Sequence, residues 1–73
     1  MPKLIRINSK DLVKILLKNN FYISRRKGSH IQLVNSTDET IRLTIPMHDK
    51  DLPIGTLHAI VKDSKLDINI FIR

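Results

Sequence analysis

Phe21-Tyr22-Ile23-Ser24-Arg25-Arg26-Lys27-Gly28-Ser29-His30-Ile31-Gln32-Leu33-Val34 switches the chain from a helical repeat to two-residue alternation, and the fold class follows from that switch. Phe21, Ile23 and Arg25 alternate with Tyr22, Ser24 and Arg26. Lys27-Gly28 breaks the run, and residues 29–34 resume it with Ile31 and Leu33 on one side and His30, Gln32 and Val34 on the other. Two alternating runs around a glycine spell a hairpin whose corner carries the cations Arg25, Arg26 and Lys27. The polar interval Asn35-Ser36-Thr37-Asp38-Glu39 reads as a loop. A third strand over residues 40–45 then sets Ile41, Leu43 and Ile45 on one face and Arg42 and Thr44 on the other, and Pro46 ends its ladder. Three successive strands with short connections make an antiparallel meander.

Upstream, residues 10–19 place Leu12, Val13, Leu16 and Leu17 on one face of a 3.6-residue helix and Lys10, Lys14 and Lys18 on the opposite one. Ser9 suits its N-cap, and Asn19-Asn20 supply the stop, because Asn tolerates the left-handed conformation that ends helices. Downstream, Pro53 suits the first turn of a second helix, with Asp49 and Asp51 near its positive dipole end and Ile54, Leu57, Ile60 and Val61 as its stripe. The apolar stripe of each helix has one available partner, the Ile31, Leu33, Ile41, Leu43 and Ile45 side of the sheet. The expectation is a small α+β domain of order α-β-β-β-α, a three-stranded antiparallel sheet with both helices on one face and the other face open to solvent. Residues 67–73 alternate like a strand, yet seven residues at a terminus fit a helical turn equally well.

At 73 residues with 41% hydrophobic content, the chain has material for one domain over residues 1–73 and one core. The absence of cysteine excludes disulfides and thiolate metal sites. Thirteen Lys and Arg against seven Asp and Glu leave a formal charge of +6, which points to a polyanion or an acidic protein as partner. No signal-peptide core and no run of apolar residues long enough to span a bilayer is present, so a cytoplasmic protein without membrane attachment is expected.

The open face would carry His30, Gln32, Arg42 and Thr44 beside the corner of Arg25, Arg26 and Lys27. Phosphate binding needs positive charge and N–H donors together, and Arg26-Lys27-Gly28-Ser29-His30 offers both, since glycine admits close backbone approach. An imidazole there suits proton transfer near neutral pH: from the ribose 2′-hydroxyl, or to the leaving 5′ oxygen, while cations hold the phosphate. The ordinary alternatives are a solvated corner and a strand histidine that faces water. Ser29 reads as a turn residue that donates to phosphate. His48, in the loop after the third strand, is a candidate for a second proton-transfer or phosphate group, and His58 with Lys62 at i, i+4 forms a polar rim. The histidines and carboxylates lack the spacing of a metal ligand set, so no metal or cofactor is expected.

Phe21-Tyr22 followed by Arg25-Arg26-Lys27-Gly28-Ser29-His30, then Leu43-Thr44-Ile45-Pro46-Met47-His48, then Asp51-Leu52-Pro53-Ile54-Gly55-Thr56-Leu57 resembles the HicA-type (YcfA-like) toxins over about residues 8–66. The resemblance implies a double-stranded-RNA-binding-like fold and a metal-independent endoribonuclease that cleaves mRNA, the toxin of a type II toxin–antitoxin pair, neutralised by a HicB-type antitoxin. It implies that His30 is catalytic, that Gly28 and Ser29 shape its turn, and that His48 has a supporting role. Under it Arg26 and Lys27 hold the phosphate, and Arg25 and Arg42 extend the RNA-binding surface. Many members carry a second histidine where this chain has Ile31, and the family usually closes with an acidic helical turn where this chain has residues 67–72. Two readings compete: a non-catalytic RNA-binding domain of the same fold, and a protein-interaction module for an acidic partner.

Overall fold

Asn8 caps the first helix, its side-chain oxygen accepting from the Asp11 amide at 2.8 Å. The structure, a computed structural model, describes residues 7–47 and 51–71. Helix α1 covers Ser9–Leu17, so the expected cap Ser9 is instead its first residue. The reason lies outside the helix: Ser9 is fully buried and its hydroxyl donates to the Pro46 carbonyl at 2.7 Å, which ties the start of α1 to the end of the last strand. Leu12, Val13 and Leu16 are buried, whereas Leu17 is 45% exposed. At 3.6 residues per turn Leu17 lies about 90° from the centre of the stripe formed by Ser9, Leu12, Val13 and Leu16, too far round to reach the sheet. The helix stops at the asparagines, with Asn19 donating to the Ile15 carbonyl and Asn20 in the left-handed region at φ 67°.

Strands β1 (Phe21–Lys27), β2 (His30–Asn35) and β3 (Arg42–Pro46) form an antiparallel sheet in sequential order, with β2 central. Leu33 and Ile45 are completely buried, Leu43 and Ile31 nearly so, while His30, Gln32, Arg42 and Thr44 are exposed. The sheet thus has one covered face and one open face, as the alternation predicts. Strand β3 starts at Arg42 rather than Thr40, because the residues before it close a turn: the Ile41 amide donates to the Asp38 carbonyl, and Asn35 Oδ1 accepts from the Thr37 amide and hydroxyl and the Asp38 amide.

Helix α2 (Ile54–Ser64) buries Leu57, Ile60, Val61 and Ser64 and packs on β3, while α1 packs on β1 and β3. Pro53 precedes its first turn, as its fixed φ favours. Ile54 is half exposed, being about 70° from the middle of the buried stripe on a 3.6-residue helix. Lys65, left-handed at φ 62°, ends α2. Residues Ile68–Phe71 form a 3₁₀ turn, not a strand: the Asp67 side chain accepts from the Asn69 amide and its carbonyl accepts from the Ile70 amide. The turn delivers Phe71 into the core, fully buried with Leu12, Leu16 and Leu57. Ile7 and Leu52 join the same core through a short antiparallel contact between Asn8 and Asp51.

Candidate nucleic-acid interface

Ser24 decides which cations reach the open face. In β1 the ladder pairs Ile23 with Leu33 and then Arg25 with Gln32, so Ser24 is an extra residue, a β-bulge. Residues directly opposite in an antiparallel pair share a face. Beyond the bulge, Arg25 therefore lies beside Gln32 and Lys27 beside His30 on the open face, and Arg26, opposite Ile31, belongs to the face the helices cover. Uninterrupted alternation from Phe21 assigns Arg25 and Arg26 the other way round.

Gly28 and Ser29 alone connect β1 to β2, with Lys27 and His30 as the closing pair. Gly28 has φ 57° and Ser29 is not in the left-handed region, the pattern of a type II′ turn whose first central position favours glycine. The Ser29 carbonyl accepts from the Met47 amide at 2.6 Å, which fastens the turn to the end of β3. Ser29 Oγ lies 3.5 Å from His30 Nδ1, a long contact whose donor depends on the imidazole tautomer. His30 itself is exposed.

Arg25, Lys27, Gly28, Ser29, His30, Gln32 and Thr44 line a shallow concavity of about 480 Å³. Two cations and no carboxylate line it, so it favours an anion, and the side chains of Gln32, Ser29 and Thr44 add neutral hydrogen-bonding groups. Its residues come from all three strands. Of the residues singled out in the sequence, Arg25, Lys27, Gly28, Ser29 and His30 meet here, and Gln32 and Thr44 join them. Arg26 does not line it. Arg42 stands opposite Val34, farther along the open face, with its Nε donating to the Glu39 carbonyl at 3.1 Å. His48 lies outside the described residues.

No group of three or more His, Cys, Asp and Glu residues placed to hold a metal ion occurs among the described residues. No helix among them is long and apolar enough to cross a membrane. Among the described residues, Asp38, in the loop before β3, has a carboxyl group held below its ordinary value by the Thr40 hydroxyl and then by the Thr40 amide, against an opposing effect of burial.

An α-β-β-β-α domain with a bare sheet face, a cationic concavity and a histidine beside a glycine-serine turn defines a small basic α+β domain with an exposed cationic surface. Residues 9–66 match the family model of the HicA toxin of bacterial toxin–antitoxin systems. The chain belongs to that family: it is the toxin of a toxin–antitoxin pair, with an antitoxin as its partner. Comparison with curated proteins finds no match.

Proposed function

We propose that this toxin is an endoribonuclease that cleaves mRNA on the open face of its sheet, with His30 as the catalytic residue. The observation that carries the reading is the convergence of Arg25, Lys27 and His30 on one concavity that holds no carboxylate. A phosphodiester seated there has its charge met by the two cations, which also oppose the additional negative charge that develops as phosphorus becomes five-coordinate. The adjacent ribose 2′-hydroxyl attacks phosphorus and the bond to the 5′ oxygen breaks, giving a 2′,3′-cyclic phosphate and a 5′-hydroxyl. His30 performs one of the two proton transfers, from the 2′-hydroxyl or to the departing oxygen. The tight turn fixes its backbone as the closing pair with Lys27, which keeps the imidazole and that cation at the same end of the concavity. His48 is the candidate for a supporting role; its neighbour Met47 is anchored to Ser29 at this end of the sheet. As written, the reaction draws on side chains alone.

The same face is the one an inhibitor must cover. A HicB-type antitoxin with an acidic surface would be steered to a chain of charge +6 and would shield Arg25, Lys27 and His30 from RNA. Product analysis tests the chemistry: cleaved RNA should carry cyclic phosphate ends, and a 2′-deoxy substitution at the scissile ribose should stop cleavage there. RNA that is bound but never cut would leave a binding domain without a reaction.

A further inference from the structure

We propose that Tyr22 is a stacking platform for a nucleobase that flanks the cleaved phosphate, so that the open face grips single-stranded RNA by one base as well as by its backbone. The proposal rests on the RNA-cleaving reading of the same face. Tyr22 stands directly opposite Val34, and Val34 opposite Arg42, so the three make one row across the open side of the sheet. No helix covers that side, yet Val34 is only 6% exposed. Side chains directly opposite across a ladder have Cβ atoms about 5 Å apart, close enough for a tyrosine and an arginine to shelter a valine between them. The row is thus an apolar patch with one aromatic ring and one cation at its borders.

Tyr22 keeps 43% of its surface exposed, whereas Phe21 is 3% and Phe71 0% exposed. The chain has no other tyrosine and no tryptophan, so Tyr22 is the one exposed residue among its Phe and Tyr side chains. Val34 lies four positions along β2 from His30, about 13 Å along the strand. A base on Tyr22 therefore belongs to a neighbouring nucleotide, not to the ribose at His30. Every base has a π face, so the contact is tolerant of sequence, but a paired base keeps its faces stacked on its neighbours, which selects unpaired RNA. Arg42, across Val34 from Tyr22 and with its Nε donating to the Glu39 carbonyl, sets a cation at the far end of the row for a phosphate of the same strand.

The test uses the whole chain and a fluorescently labelled hexaadenylate methylated at every 2′ oxygen, which cannot be cut by the 2′-hydroxyl route, with binding followed by anisotropy over a salt series. Tyr22→Ala should weaken binding about tenfold and Tyr22→Phe should leave it near wild type, because the ring and not the hydroxyl makes the contact. The slope of log affinity against log salt should stay unchanged in Tyr22→Ala, since stacking releases no counterions. Wild-type tyrosine emission should fall as RNA binds. Wild-type affinity in Tyr22→Ala, or equal weakening in Tyr22→Phe, would overturn this inference alone. A wild-type chain that bound no RNA at any salt would overturn the ribonuclease reading and this inference with it.

Discussion

Replacing Arg25 by Gln should weaken RNA binding several-fold, and the same change at Arg26 should barely register. Both residues carry one charge at the same corner of the chain, so composition cannot separate them. The bulge at Ser24 does, by turning Arg25 onto the face of His30 and Arg26 onto the opposite one. Two unit charges 4 Å apart interact by about 4 kcal/mol at the effective dielectric of a protein surface. Exposure, side-chain entropy and salt reduce such a pair to about 1 kcal/mol, a roughly fivefold change in affinity. Arg26 is separated from an anion on the open face by the sheet itself, about 10 Å, comparable with the screening length at physiological salt. Its loss should change affinity by less than about twofold, within that screened range. Anisotropy with a non-cleavable RNA gives both numbers. The salt slope gives an independent reading: it should fall by about 0.7 in Arg25→Gln, where one phosphate is no longer neutralised, and stay put in Arg26→Gln. If Arg26→Gln weakened binding as much as Arg25→Gln, the register argument for the site would be refuted.

Deleting Ser24 should leave RNA binding and His30-dependent cleavage at wild-type level, because Arg25 then follows Ile23 directly and still faces Gln32; loss of binding by a folded deletion variant would show that the bulge itself shapes the site. Gly28→Ala should destabilise the fold by about 1–2 kcal/mol through backbone strain alone, since Gly28 has φ 57° and open space around the position of an added Cβ, and denaturant midpoints should show Gly28→Asn to be milder. Asp38 is held below its ordinary value, so its bond to Thr40 stabilises the fold above the ordinary carboxylate range, and that contribution disappears as pH falls through the depressed value. Thr40→Val should move Asp38 back toward 3.8 in an NMR titration, and an unmoved Asp38 would show that the hydroxyl is not the cause.

The two helices, the meander and the bare face are legible in the sequence because apolar residues mark the inward positions Ile31, Leu33, Leu43 and Ile45 and most of both helix stripes. The bulge is not legible. From Ser24 to Lys27 every side chain is polar, so no apolar residue records which of them faces inward, and one extra residue there costs the pattern nothing visible. Asn8 and Ser9 are equally good caps by residue type, and only the buried bond from Ser9 to Pro46 chooses between them. Leu17 and Ile54 fit the helical period but sit at its margins, where geometry and not hydrophobicity sets burial. The terminal alternation around Ile68 and Ile70 yields to the Asp67 turn and to the burial of Phe71. His30 is legible as a candidate from its turn and its neighbours, while its cationic companions Arg25 and Lys27 required the register. Tyr22 looks unremarkable in sequence, because its exposure, where Phe21 and Phe71 are buried, is a property of the folded chain.

The central claim is that His30 cuts RNA. Purified wild-type protein and its His30→Ala variant, incubated with a long unstructured mRNA in EDTA and resolved on a gel, test it most directly. His30 is exposed and off the core, so the variant should fold as the wild type does. The account predicts fragments in the wild-type lane and intact RNA in the variant lane. Equal cleavage in both lanes would remove His30 from the chemistry, and intact RNA in both would contradict the ribonuclease reading of this toxin.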